Sequence, residues 1–205
     1  MAESTERRYG GRSAEERRAE RRVRLLDAGH ELFGTIGYAA STIEGVCAEA
    51  SLNARYFYEQ FRHREELLQA VYARQAWRVF DVVCGALGGE HNPCHRLEAG
   101  LRAFVDAMLL DERGTRIVYM EAIGVSDALE QERRRVGDAY IELLSREAAR
   151  LERLVSVPEG ERRGIVVALM GATEGLVVDW LAGERRLPPA SIIETLLTVF
   201  GPTLG

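Results

Sequence analysis

The segment from Ser41 to Leu68, STIEGVCAEASLNARYFYEQFRHREELL, constrains this chain most, because it reads as two short helices, a tight connection and the entry to a third. That is the layout of a helix-turn-helix. Ser41 and Thr42 can cap a helix over Ile43 to Ala50, whose Ile43, Val46, Cys47 and Ala50 recur at helical steps and form one apolar stripe. After a break at Ser51-Leu52, Asn53 caps a second short helix ending near Phe61, with Phe57 and Phe61 on one face. Neither helix is long enough to stand alone, so both rings are expected in a core.

A helical wheel about Phe57, turning about 100° per residue, puts Arg55 and Glu59 opposite the core and Tyr56 and Tyr58 on the flanks. Such a face suits a helix in a major groove, where Arg reads guanine edges and Tyr reaches phosphates or thymine methyls. The competing reading is a solvated face on which Arg55 pairs with Glu59 at i+4.

Leu32-Phe33, Gly37-Tyr38, Ser41-Thr42-Ile43, Ala48 and Ala50, Tyr58, Phe61 and Arg64-Glu65-Glu66-Leu67 follow one another across roughly Arg22 to Val71. In that order and spacing the chain resembles the N-terminal DNA-binding domain of the TetR family of bacterial transcriptional regulators. The resemblance implies that Ala54, Arg55, Tyr56 and Tyr58, beside the cap Asn53, face base edges or adjacent phosphates. It implies too that Ser41, Thr42, Gln60 and Arg64 hold the DNA backbone. Ser51 stands where the family usually has Gly, so it would have to take a positive φ at ~1 kcal/mol. Tyr56 replaces a common small Thr and Gln60 a His or Tyr, while Arg64 in place of Lys keeps a phosphate-binding cation.

At 205 residues, 46% hydrophobic and 29% charged, the chain has ordinary globular composition and room for a genuine core. Its net charge of −5 argues against nonspecific coating of nucleic acid, yet the charge is uneven: residues 1–24 carry eight Arg against five acids. The arm of Arg7, Arg8, Arg12, Arg17, Arg18, Arg21, Arg22 and Arg24 either follows phosphates or is a solvated tail diluted by Glu3, Glu6, Glu15, Glu16 and Glu20. Apolar runs are broken by Gly or a charge before the length of a membrane span, and no export signal is seen, so a cytoplasmic protein without a membrane partner is expected. Cys47, Cys84 and Cys94 are then reduced thiols, the first buried. The bunch His91-Asn92-Pro93-Cys94-His95 has no second cluster to complete a metal site and is read as a loop in which Pro93 starts a helix. No metal, cofactor or catalytic set is expected.

Periodicity is helical nearly throughout, and the fold class is all-α with about nine helices. Ser13-x-x-Glu16 is a capping box opening a long first helix whose Leu25, Leu26, Gly29, Leu32, Phe33 and Ile36 face inward and which Gly37 stops. A fourth helix from about Arg64 to Leu87 runs out of the DNA-binding domain, taken as residues 1–63, into an effector-binding and dimerisation domain, residues 64–205. Further helices are predicted at about 95–110, 114–124, 127–155, 159–183 and 189–201.

In the later helices, Gly164, Ala168, Gly171, Ala172 and Gly175 put small side chains at helical spacing, and Ile192, Ile193, Leu196, Leu197, Val199 and Phe200 add apolar area. This suits a partner helix across a two-fold axis, and the resemblance implies the same four-helix dimer, with Gly171, Gly175, Val178, Ile192, Leu196 and Phe200 at the interface. The resemblance also implies a pocket for a small, largely apolar effector lined by some of Phe104, Met108, Tyr119, Met120, Ile123, Tyr140, Leu144 and Trp180. The expected function is a homodimeric repressor that binds a palindromic double-stranded operator and is released by that effector. The competing expectation is a helical scaffold without specific DNA binding, in which Arg55 or Tyr58 would be buried.

Overall fold

A computed structural model describes residues 13–183 and 188–204. They form ten α-helices and one π turn: α1 Ala14–Thr35, α2 Ile43–Glu49, α3 Ala54–Tyr58, α4 Arg64–Gly89, α5 Pro93–Leu110, α6 Glu112–Arg116, the π turn Ile117–Glu121, α7 Asp127–Ala148, α8 Glu152–Val155, α9 Glu159–Ala182 and α10 Pro189–Leu204.

The capping box is present: Ser13 accepts from the Glu16 amide while Glu16 accepts from the Ser13 amide, and α1 ends where Gly37 takes φ +88°. The predicted helix over 114–124 is instead α6, capped by Asp111, running straight into the π turn, where the Ala122 amide donates to the Ile117 carbonyl at 3.0 Å. The predicted 127–155 helix breaks after Ala148, because an extended Leu151 lets Leu151 and Leu154 both bury against Leu97 and Val166.

The long α4 is the spine, burying Leu67, Leu68, Val71, Tyr72, Ala76, Val79, Val83 and Leu87 along its length. One apolar cluster runs from Leu25, Phe33, Val46 and Phe57 in α1–α3 through α4 to Met108, Ile117, Val136 and Val177. The helix-turn-helix is therefore packed continuously with the remainder. At the joint Gly34 lies so close to α6 that an added Cβ would stand 2.8 Å from the Arg113 Cα. Three polar contacts tie the same joint: Arg113 to Glu31 at 2.8 Å, His30 to Asp111 at 3.1 Å, and the Tyr38 amide donating to Glu121 at 2.7 Å.

Contrary to the sequence expectation, α9 is long and apolar enough to cross a membrane by length and composition, although it carries Glu174 and Asp179. It buries Val166, Leu169, Thr173 and Val177 while leaving Val167, Gly171 and Gly175 exposed. Ile192 and Leu196 of α10, expected at a dimer interface, lie inside the protomer against Val105 and Leu109 of α5. An apolar helix between two layers has two stripes; Ile192 belongs to the inner one, while Leu196, packed inward, also lines an apolar groove between α9 and α10.

Candidate DNA-binding face and cavity

The α2–α3 turn is a Schellman closure: the Leu52 amide donates to the Cys47 carbonyl at 2.8 Å and the Ser51 amide to the Ala48 carbonyl at 3.0 Å. Ser51 occupies its left-handed position at φ 50°, as the departure from Gly required. Arg24 of α1 completes the turn, donating to the Ala50 carbonyl and, at 2.9 Å, to the Ser51 carbonyl. Because the Ser51 side chain is exposed, Ser51→Gly is expected to stabilise the protein by up to about 1 kcal/mol and Ser51→Val to destabilise it by about 1–3 kcal/mol. Thermal melting of the two variants checks this, and a Val variant as stable as wild type would refute it.

Asn53 caps α3, accepting from the Tyr56 amide at 3.3 Å, and Thr42 caps α2, accepting from the Gly45 amide at 3.0 Å. Phe57 and Phe61 are buried, so α3 turns the opposite face outward. Arg55 there is 83% exposed and Tyr58 59%, with Ala54 also open. The i+4 pairing of Arg55 with Glu59, at 3.3 Å, is present as well, but at that exposure it holds the guanidinium loosely and leaves it free to exchange partners. Tyr56 is partly covered, with Arg21 stacked 4.5 Å above its ring. Arg64 lies over Tyr38 at 4.2 Å, where Tyr38, Thr42, Ile43, His63, Arg64 and Glu65 line a shallow cleft between the starts of α2 and α4.

Ser41 departs from expectation. Ser41 is buried and its hydroxyl donates to the Gly37 carbonyl at 2.7 Å, because Thr42 and not Ser41 is the cap. Gln60 is half-buried, with its amide nitrogen shielded from solvent. Several arm arginines pack on the fold: Arg18 donates to the Glu59 carbonyl at 3.3 Å, Arg21 reaches Glu59 at 3.7 Å, and Arg22 stacks on Phe61 at 4.6 Å. Arg7, Arg8 and Arg12 lie outside the described residues.

Between α4, α5, the π turn, α7 and α9 lies a cavity of about 180 Å³. Phe104, Met108, Tyr119, Tyr140 and Leu144 line it as expected, whereas Met120 and Ile123 are exposed and Trp180 packs with the α5–α10 cluster. Tyr72, Arg133, Thr173 and Glu174 are lining residues that the sequence reading missed. Burial pushes the Tyr72 phenol up to about 12 and raises those of Tyr119 and Tyr140, so all three are neutral hydrogen-bond donors near neutral pH.

The cavity and the candidate DNA-binding face meet at the π turn. Val118 and Tyr119 form cavity wall, and Glu121 of the same turn accepts from the Tyr38 amide while Arg116 holds it at 3.0 Å. Beside it Asp111 is held down to about 2: burial opposes this, but the His30 hydrogen bond, the Gly114 amide and the Arg78 charge outweigh it. A depressed carboxylate stabilises above its ordinary range, and that contribution fades only as pH falls toward 2.

Residues 25–71 match the family of bacterial regulatory proteins of the tetR type. Over those residues the chain is similar to the TetR family. It is 27% identical over 181 residues to the HTH-type transcriptional activator FasR of Mycolicibacterium smegmatis, covering 86% of this chain and 80% of that protein. Its fold is shared with the fatty acid degradation regulator FadR of Bacillus halodurans, at a TM-score of 0.77, 13% identity and coverage of 87% and 93%. It is shared also with FadR of Bacillus subtilis, solved in complex with stearoyl-CoA, at 0.76, 14%, and coverage of 86% and 96%.

Proposed function

We propose that this TetR-type chain is an effector-responsive transcriptional regulator that binds a palindromic operator as a homodimer, acting as a repressor that a small, largely apolar ligand releases. The exposed Arg55 and Tyr58, together with the open cleft at Arg64, carry the reading, since a scaffold without DNA binding has no reason to leave them open. Base readout is assigned to Arg55, Tyr58 and Ala54, backbone contact to Thr42, Asn53 and Arg64, and a flanking place to Tyr56. Division at Arg64 separates a DNA-reading part, 1–63, from an effector part, 64–205. The apolar groove of Ala172, Gly175, Leu176, Thr195, Val199 and Phe200, with Val199 62% exposed, supports pairing through α9 and α10. It also gives the apolar outer stripe of α9 a protein partner in place of lipid, and the reading places the protein with the DNA in the cytoplasm.

Release follows from linkage. A ligand that favours a dimer with its two heads wrongly spaced lowers operator affinity by the same factor, commonly ~1–3 kcal/mol. Occupancy of the cavity moves Val118 and Tyr119, and Glu121 passes the movement to the Gly37-Tyr38 corner. The relative named as an activator does not oppose this, because the sign of regulation depends on where the operator lies relative to the promoter. The stearoyl-CoA in Bacillus subtilis FadR supports an acyl chain as the type of ligand.

The test is binding of DNA from upstream of the gene in a salt series. Arg55→Ala is expected to cost about 1–3 kcal/mol on the specific site only, whereas Arg64→Ala weakens all DNA alike and lowers the salt slope by about one. Equal loss from Arg55→Ala on every sequence would remove the readout assignment.

A further inference from the structure

One polar atom of the cavity wall is unmet. The Tyr140 hydroxyl is shielded from solvent, and among the described residues no group pairs with it. Its ring is held edge-on by Phe80 at 5.0 Å and Phe104 at 5.8 Å, so the hydroxyl cannot swing out to find a partner. A buried hydroxyl without a partner is unfavourable, whereas phenylalanine would fill the same space without that cost.

We infer that the Tyr140 hydroxyl anchors the effector by donating a hydrogen bond to an uncharged acceptor oxygen, such as an ester, thioester or ketone carbonyl, on an otherwise apolar chain. The inference rests on the small-effector reading of this cavity and narrows it to a chemical class.

The charges around the cavity argue against a free carboxylate in that place. Glu174 of α9 is among the residues lining the cavity, at its exposed side, and Arg133, the cation there, already holds both oxygens of Glu130 at 3.1 and 3.2 Å. An entering anion would meet a negative neighbour and a cation that is already paired, after giving up its own hydration. A neutral carbonyl gains the hydrogen bond without either cost. The apolar remainder of such a ligand has Val79, Val83, Leu101, Met108 and Leu169 to cover it.

The test is titration of melting temperature with methyl octanoate, octanoate and octane, on the full-length protein and on Tyr140→Phe. In wild type methyl octanoate is expected to bind more tightly than octanoate. In Tyr140→Phe it loses about three- to tenfold while octane is unchanged, the loss of one neutral hydrogen bond. The unliganded variant is expected to melt no lower than wild type. Equal loss of ester and octane, no loss of ester, or tighter octanoate than ester in wild type would overturn the Tyr140 assignment and leave an apolar cavity standing. A variant that melts lower also overturns it, since the hydroxyl would then serve the fold. If none of the three shifts wild type, the small-effector reading fails, and this one with it.

Discussion

Phe57→Ala is expected to abolish operator binding on every sequence while sparing ligand binding in the cavity. The helix that carries Arg55 and Tyr58 is only five residues long, well below the length at which an isolated helix holds together in water. What holds it is the fully buried Phe57 ring, packed against Phe61 at 5.8 Å and edge-on to Tyr58 at 5.5 Å. Removing the ring costs ~3–5 kcal/mol, a large part of the ~5–15 kcal/mol that a whole domain has. The loss falls at one end of the core, with Tyr72, Phe104 and Tyr140 lying farther along α4 and beyond it. Amide hydrogen exchange is expected to speed up over residues 53–61 first, with little change around the cavity. Operator affinity retained at wild-type level would show that Phe57 does not position the reading helix. The pattern differs from that of Arg55→Ala, which spares nonspecific binding because the helix still stands.

The helix-turn-helix was legible because each of its parts has a local chemical signature. The Ser13 box, the Thr42 and Asn53 caps and the Phe57-Phe61 pair all act within one or two turns of chain. Ser51 was legible even as an exception, since the turn demands positive φ whatever residue fills it. Ser41 was not: next to a second cap residue, only the three-dimensional path of the chain decides which hydroxyl caps the helix and which folds back on Gly37.

The cavity was half legible for a different reason. Size and helical position put Phe104, Met108, Tyr140 and Leu144, all on regular helices, at the domain centre, and the family resemblance implied a pocket there. The π turn takes one extra residue, so the 3.6 period loses register after Ile117, and Met120 and Ile123 rotate to the surface. Arg133 and Thr173 escaped because a polar residue on an amphipathic helix reads as solvent-facing unless its neighbours across the fold are known. The same gap hid the inner role of Ile192 and Leu196. Periodicity identifies an apolar stripe without saying whether its own core or a partner covers it.

Gly34→Ala probes the joint itself. The added Cβ would stand 2.8 Å from the Arg113 Cα and 3.0 Å from the Arg113 carbonyl oxygen. These are backbone atoms of α6 and cannot turn aside, so α1 and α6 must part; such overpacking costs about 1–3 kcal/mol. The displacement is transmitted in both directions. On one side α1 carries the Arg24 contacts that close the α2–α3 turn. On the other, α6 leads without interruption into the π turn whose Val118 and Tyr119 line the cavity. Gly34→Ala is therefore expected to lower the melting temperature and also to weaken operator binding with no ligand present, as though the effector were partly bound. Ligand should then produce a smaller further loss than in wild type, because part of the shift it drives has been made already. Measuring operator affinity with and without a cavity ligand, in both proteins, separates this from simple instability. A variant that binds the operator less well but responds to ligand by the full wild-type factor would mean that the α1–α6 contact is only a packing contact, and that coupling runs through α4 instead.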